Sequence, residues 1–390
     1  MNITDRSTPR PLLLLVAGAK GAVSSTLAVA MAAIKKRPDT ILPSLTTGNM
    51  FSCLGAIEAT AIAGWDPNTQ PLTACIKAQG VVPEHLWKPF SNDLDRIQVH
   101  EPPSASHGLG DQVEHLRQDI KAFTEMQPDA QPVFINLLPA GAQNDFMHYQ
   151  EIPDLFQKAT FKDFPDLAYT LAAILAEIPV VNFTPNIVEI PAIIKEAEKR
   201  NLPIAGRDGK TGQTYFKVVL ASALRARNFL VDGWYSLNIL GNADGMNLMN
   251  PENAKEKLAN KTRLLDEVLG YEVGKKYDAP AHKVHIDYYP PRGDAKEAWD
   301  VIDFSGMFEL PMSLRLNLQG RDSILAAPLA LDLGRWVAAL KLAGRSGLVP
   351  ELGFYFKKPV GNNPPLTFQD QIQSLKRLEQ ICNDKISSRP

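Results

Sequence analysis

An unbroken apolar run, Leu12–Ala17, leads into a glycine turn, Gly18-Ala-Lys-Gly21, and then into a stretch of small and apolar residues, Ala22–Ile34. Strand, tight turn and helix in that order predict the opening of a doubly wound fold. Val133–Leu138 and Val180–Phe183 are further apolar runs that exit into loops with Pro, Asn or Gly, and Gln112–Phe123 and Pro165–Ala176 carry helical patterns. Continuous apolar strands alternating with helices imply a parallel sheet covered on both faces. The pattern changes after Thr214. Phe216, Val219, Leu220, Ala223 and Leu224 recur at helical spacing and predict the buried face of a helix. Trp234–Leu240, Val284–Tyr289 and Met312–Leu318 read as strands. In the last, Met312, Leu314, Leu316 and Leu318 alternate with Ser313, Arg315, Asn317 and Gln319, which predicts an open antiparallel sheet with one apolar and one wetter face. Ile324–Ala343 reads as a long helix despite Pro328, Gly353–Phe356 as a short strand, and Gln369–Ile381 as an amphipathic helix.

Composition narrows the class. A chain of 390 residues exceeds one ordinary core, so two domains are expected. Apolar residues make up 45% and charged residues 22%, the profile of a globular protein. A net charge of −2 provides no field for nucleic acid or an anionic membrane, so neither is an expected partner and any phosphate recognition must be local. Cys53, Cys75 and Cys382 form no metal or redox spacing, which fits a reduced, cytoplasmic compartment. Arg6 and Arg10 before Leu12–Val16 superficially suggest a signal peptide, but so short a run entering a glycine turn reads better as a buried strand. No segment reads as the ~20 apolar residues that a membrane span requires.

Two donor-rich loops carry the chemistry: Gly206-Arg-Asp-Gly-Lys-Thr-Gly-Gln-Thr214 and Leu240-Gly-Asn-Ala-Asp-Gly-Met-Asn-Leu248. Backbone amides, hydroxyls and a lysine beside an acidic residue suit a phosphorylated, polyhydroxylated ligand. The N-terminal glycine turn, with Ser24, Ser25 and Thr26 behind it, stands where a dinucleotide pyrophosphate would meet a helix N-terminus. Its glycines are spaced G-x-x-G, and such a turn also serves plain strand–helix packing. The acid that would meet a ribose is open between Asp39 and Asp66. Lys257 and Lys261, four apart within Ala254–Asp266, would share a helix face, where mutual repulsion lowers their pKa values and favours an anion between them. A solvated surface face fits the same spacing. Lys296 closes Pro291-Arg-Gly-Asp-Ala-Lys296, a turn that either aims it inward or is only a turn. Asp208, Asp244, Asp294 and Asp322 also satisfy ordinary turn chemistry, and His282 and His285 read as structural.

Taken in order, Gly64-Trp-Asp66, Asn182-Phe-Thr-Pro185, Asp208-Gly-Lys-Thr-Gly-Gln-Thr214, Asn238-Ile-Leu-Gly-Asn-Ala-Asp-Gly245, Lys257 with Lys261, Gly293-Asp-Ala-Lys296, Asp322-Ser-Ile-Leu-Ala-Ala-Pro328 and Lys357 resemble the myo-inositol-1-phosphate synthase family. The resemblance is to its shorter prokaryotic members. It implies an α/β fold: an NAD-binding Rossmann-type domain over residues 11–213, an inserted α+β catalytic and tetramerisation domain over 214–325, and a return to the first domain over 326–390. It implies an isomerase that cyclises glucose 6-phosphate to inositol phosphate, with NAD reduced and reoxidised in each turnover. By carry-over, Lys257, Lys261, Lys296 and Lys357 are catalytic, Lys261 taking the C5 hydroxyl proton. Lys210, Thr211, Gly212, Gln213, Asn238, Asp244 and Asp294 bind substrate. Gly18, Ala19, Lys20, Gly21, Ala22, Val23, Ser24, Asp66, Asp208, Asp322 and Ser323 bind NAD. A homotetramer joined through the sheet at Met312–Leu318 is implied, and the metal is unknown, with a divalent or a monovalent cation both open. Where relatives carry a small Thr/Ser-rich loop near the cofactor, this chain has Leu137-Leu-Pro-Ala-Gly-Ala-Gln143. That departure keeps a paralogue acting on another sugar phosphate as an alternative, beside a regulatory NAD-binding homologue and a simple dehydrogenase.

Overall fold

A computed structural model describes residues 9–37, 45–48, 50–141, 146–158, 165–241, 245–246, 249 and 264–388. Two compact units emerge: Met1–Gly209 with Ala326–Pro364 and Ser374–Pro390, and Lys210–Leu325 with Pro365–Gln373. Pro365–Gln373 thus groups with the second unit, although the sequence assigns the whole stretch after residue 325 to the first.

The first unit holds a seven-stranded sheet: β1 (Leu12–Ala17), β2 (Ala61–Trp65), β3 (Val99–His100), β4 (Gln131–Asn136), β5 (Val180–Asn182), β6 (Pro203–Gly206) and, late in the chain, β11 (Gly347–Leu348). Their order is β11-β6-β5-β4-β1-β2-β3 and every pairing is parallel. Strand order therefore reverses between β1 and β4, the switch point at which Rossmann-type sheets open a crevice beyond their strand C-termini. All six residues of β1 are buried. Leu12, Leu14 and Val16 pack with Leu331, Trp336 and Leu340, while Leu13, Leu15 and Ala17 pack on the other face with Phe123 and Leu171. Covering on both faces is why β1 is apolar at every position rather than at alternate ones. Gly64 of β2 lies opposite Val16, and a Cβ there would stand 2.0 Å from the Val16 carbonyl oxygen, so only glycine allows this approach.

Helices α1 (Ala22–Ile34), α2 (Leu72–Gln79), α3 (Leu109–Glu125), α4 (Pro165–Leu175) and α5 (Pro191–Lys199) belong to this unit. Later come α7 (Asp322–Leu342), from Ala326 onward, and α8 (Phe368–Ser387), from Ser374 onward. At 21 residues α7 has the length and apolar composition of a membrane span, a feature the sequence reading passes over, yet 78% of its most apolar window is buried. Its burial among core side chains explains the composition. Gly353–Phe356 is not a strand. A 3-10 turn runs over Pro350–Phe354, begun by Pro350, whose fixed φ suits a helical first turn. Strand-like pairing moves downstream, where Gly209 bridges Phe356 and Arg207 and Lys358 exchange backbone hydrogen bonds.

In the second unit β7 (Leu230–Leu240), β8 (His282–Tyr288), β9 (Ala295–Ser305) and β10 (Pro311–Arg321) form a sheet in the order β10-β9-β7-β8. β10–β9 and β9–β7 are antiparallel, but β7–β8 is parallel, so the sheet is mixed and not wholly antiparallel. β9 is a central strand that carries Glu297, Asp300 and Asp303, which hides it from a hydrophobicity scan. The first half of β10 is exposed on both faces, including Met312 and Leu314. Helix α6 (Gln213–Ala226) buries a different face from the one its apolar spacing predicts. Gln213, Thr214, Lys217, Val218, Ala221 and Ser222 are buried, whereas Ala223 is exposed and Phe216, Val219, Leu220 and Leu224 are half-buried. Both sets have helical period. The polar one turns inward because β7, β8 and β9 offer hydrogen-bond partners that make its burial affordable.

Candidate active site

In the first unit the glycine turn caps β1 at the switch point. Gly18 has φ +84° and a Cβ on it would lie 3.0 Å from the Leu137 carbonyl oxygen, so the turn can pass β4's exit loop only as glycine. Gly18 and Ala19 donate their amides to Trp65 O, which ties the turn to the end of β2. Gly21 is the N-cap of α1 and supplies no side-chain cap, so the first-turn amides of Ala22, Val23 and Ser24 suit an external anion. The Ser24 hydroxyl is fully buried and has no hydrogen-bond partner among the described residues. Asp66 directly follows β2, and its carboxylate accepts from the Lys20 and Asn68 amides at 2.8 and 2.9 Å. This is the strand-end position at which Rossmann-type domains place a ribose-binding acid; Asp39 lies outside the described residues. Lys20 turns its ammonium to the carbonyls of Asn68 and Gln70, so its contribution to the turn is its backbone, not its charge. A dinucleotide fits these features: a glycine cradle, an uncapped helix start and an acid at the neighbouring strand end.

The loop after β4 is clamped. Asn186 donates to Pro139 O and accepts from Gly141 N, and its amide also meets buried Asp166, which Asn136 holds from the end of β4. Burial raises the Asp166 pKa above the usual carboxylate range. Ala142 and Gln143 lie outside the described residues. Nearby in the fold of this unit, Asp208 has φ +61° and donates its amide to Thr184 O. Lys357 reaches Asp208 twice, its amide to the Asp208 carbonyl and its ammonium to Asp208 Oδ1, both at 2.7 Å. The 206–209 and 356–360 segments thus hold one predicted catalytic lysine against one predicted cofactor acid.

The second unit gathers the other set. α6 starts at Gln213 with Gly212 as N-cap and no side-chain cap, again a helix start whose dipole suits an anion. Thr211 Oγ1 donates to Asp322 Oδ1 at 3.4 Å, and Lys296 Nζ lies 3.3 Å from Asp322 Oδ2. Ser323 Oγ donates to Asp294 Oδ1 at 3.3 Å. Asp322 therefore links the helix start to Lys296. Lys210, only 3% exposed, donates to Gln371 Oε1 at 2.9 Å, and burial pushes its pKa down to about 7. Asn238 is 1% exposed, yet neither its Oδ1 nor its Nδ2 has a hydrogen-bond partner among the described residues. An unpaired buried amide costs roughly 1–3 kcal/mol. The Gln213 side chain donates to Asp300 Oδ2 at 2.9 Å. Lys257, Lys261 and Asp244 lie outside the described residues. Among the described residues no group of three or more His, Cys, Asp or Glu side chains is placed to hold a metal ion.

Sequence reasoning misses a buried polar cluster behind this helix start. Asp300 accepts from Trp234 Nε1, Ser236 Oγ and Gln213 Nε2, and Lys217 Nζ lies 3.2 Å from Ser236 Oγ and 2.7 Å from His282 Nε2. Burial lowers the Lys217 pKa to about 8 against the opposing attraction of Asp300. The available signal was Gln213 and Lys217 four apart on one helix face, together with an aspartate inside a strand.

A family model described as myo-inositol-1-phosphate synthase matches residues 212–323, the stretch that holds the α6 start, Asn238, Lys296 and Asp322. The chain belongs to the myo-inositol-1-phosphate synthase family. It is 39% identical over 227 residues to inositol-3-phosphate synthase 1 of Bacteroides thetaiotaomicron, covering 58% of this chain and 53% of that protein. To inositol-3-phosphate synthase 1 of Oryza sativa subsp. japonica it is 31% identical over 296 residues, 69% of this chain and 58% of that protein. The chain thus spans between half and three-fifths of these relatives' length. The solved inositol-3-phosphate synthase of Caenorhabditis elegans superposes with a TM-score of 0.83 at 20% identity, covering 96% of this chain and 86% of that one. A myo-inositol-1-phosphate synthase-related protein of Thermotoga maritima does so with a TM-score of 0.73 at 20% identity, covering 96% and 98%. At that identity the likeness speaks for a shared myo-inositol-1-phosphate synthase fold.

Proposed function

We propose that the protein is an inositol-3-phosphate synthase that converts D-glucose 6-phosphate to myo-inositol phosphate in the cytoplasm with NAD as a retained cofactor. The observation that carries this reading is the family match over residues 212–323, which contains an uncapped helix start bound through Asp322 to Lys296. NAD would be held by the Gly18–Ser24 turn and Asp66, with Asp208, Asp322 and Ser323 toward its nicotinamide, and bound there it would exchange hydride with the sugar. The phosphate would take the amides of Thr211, Gly212 and Gln213 with Lys210 beside them. A buried amine of pKa about 7 gains its proton when a phosphate dianion arrives, because the anion offsets the desolvation that lowered it. Asn238, Asp244 and Asp294 would hold sugar hydroxyls. Cyclisation develops negative charge on an enolate and then on an aldol alkoxide. Ammonium groups already held in place stabilise such charge without reorganising, and one well-placed donor is worth roughly 3 kcal/mol. Lys296, oriented by Asp322, and Lys357, oriented by Asp208, suit that role, with Lys257 and Lys261 as the acid–base pair. Assay with and without added divalent and monovalent salts tests for an assisting cation.

Purified protein given NAD and glucose 6-phosphate is expected to form inositol phosphate with no net NADH in solution. NADH accumulating in step with a ketone product would identify a dehydrogenase instead. Turnover confined to a different hexose phosphate would identify a paralogue.

A further inference from the structure

We propose that Lys217 and Asp300 are a buried, mutually neutralising pair that positions the anion-binding start of α6, a role that rests on the reading of that helix start as the phosphate site. The two residues lie on different elements, α6 and β9, and both are buried. Asp300 is satisfied by three donors: Trp234 and Ser236 on Oδ1 at 2.7 and 2.5 Å, and Gln213 on Oδ2 at 2.9 Å. Gln213 is the first residue of α6. Asp300 therefore holds the helix by its first turn, one residue from Gly212 and two from Thr211. Such a tether has an electrostatic cost. A carboxylate close behind a helix start attracts the same first-turn dipoles that an incoming phosphate needs, and it repels the phosphate itself.

Lys217 offsets that charge one turn along the same helix. Its ammonium donates to His282 Nε2 and to Ser236 Oγ, the hydroxyl that in turn donates to Asp300, and it lies 5.4 Å from the centroid of the Trp234 ring. Ser236 stands directly opposite Asp300 in the β7–β9 register, so the sheet fixes both ends of this relay. With the pair intact, the carboxylate fixes Gln213 while the cluster presents no net charge to the helix start. Lys217 and Asp300 touch no substrate in this scheme; both are positioning residues.

The test measures inorganic phosphate affinity by calorimetry, and KM and kcat for glucose 6-phosphate, in the full chain carrying Lys217→Met, Asp300→Asn or both. Lys217→Met keeps the packing but strands the carboxylate, and is expected to weaken phosphate binding and raise KM roughly tenfold with kcat little changed. Adding Asp300→Asn removes the stranded charge, and the Gln213 carboxamide can turn over to accept from the new amide. The double variant is therefore expected to bind phosphate within about threefold of the unmodified protein. A purely structural pair predicts instead that the double variant is at least as impaired as Lys217→Met; that result, in a protein whose circular dichroism is unchanged, would overturn the proposal. Should Lys217→Met fail to fold, the double variant, which has no unpaired charge, is compared with the unmodified protein, and a folded double variant with binding lost more than tenfold overturns it equally. Failure of the phosphate reading itself looks different: the unmodified protein binds no phosphate, or Lys210→Met leaves its binding untouched.

Discussion

Lys210 combines burial with a charge that it holds only weakly. Its pKa is about 7 in the fold against 10.5 in an open chain, and Lys217 is lowered in the same direction to about 8. Between those values the unfolded chain binds a proton that the folded chain has released, so the contribution of these two lysines to stability rises with pH from about 7 to about 10.5 and is lowest below about 7. Lys210→Met is expected to raise the Tm of the ligand-free protein at pH 7, with a gain of a few kcal/mol as an upper bound, and to reduce the slope of Tm against pH in that window. A slope as steep as before would show that the amine is not the group responsible. Phosphate binding at pH 8 is expected to take up part of a proton, seen as a binding enthalpy that depends on the ionisation enthalpy of the buffer. Lys357 makes the opposite case. Its pairing with Asp208 is partly solvated, with side-chain exposures of 24% and 15%, so its loss costs little stability. Lys357→Met is expected to lower kcat by roughly 10²–10⁴-fold with a nearly unchanged Tm; an unimpaired kcat would remove it from the catalytic set.

At the scale of elements, turns and helix starts matter more than helix bodies. The Gly18 turn is placed by β1, β2 and the exit of β4 together. Gly18→Ala forces a left-handed φ on a residue with a Cβ and presses that Cβ on the Leu137 carbonyl. A cost of about 1–2 kcal/mol in stability is expected, with a clear loss of NAD affinity measured by fluorescence titration. NAD binding at full strength in that variant would place the cofactor elsewhere. The turn was legible in the sequence because strand, glycine and helix are local signals. The inward face of α6 was not, because apolar spacing selects Phe216, Val219 and Leu220, and only Asp300, Ser236 and His282 on separate strands explain why Gln213 and Lys217 are buried. The misread Gly353–Phe356 strand has a similar origin, since its pairing partner, 207–209, is distant in sequence.

At the scale of the molecule, the second unit exposes several large apolar side chains. Met307, Phe308 and Leu310 are 79%, 85% and 62% exposed, and Met312 and Leu314 follow them on β10. Among the described residues β10 is also an edge strand of its sheet. Apolar residues exposed in this way are where an association surface is sought, and the homotetramer implied by the resemblance is the proposal to test there. Sedimentation velocity is expected to show an oligomer for the unmodified chain, and Phe308→Asp with Leu314→Asp is expected to shift it to smaller species. A monomer in both would refute the assembly.

What the sequence determined by itself was whatever depends on neighbours along the chain. The apolar run of β1, the glycine turn, the period of the helices and the loop at residues 208–214 are local, and the ordered motifs pointed to the family before any coordinates. Tertiary structure decided what depends on partners far apart in sequence. It placed Asp66 at the end of β2 beside the turn, joined Lys357 to Asp208 and Lys296 to Asp322, made one strand pair of the second sheet parallel, and buried Lys217 against Ser236 and His282. Burial of a charge is favourable only when its partner is already in place, and no periodicity along one chain segment records where that partner stands.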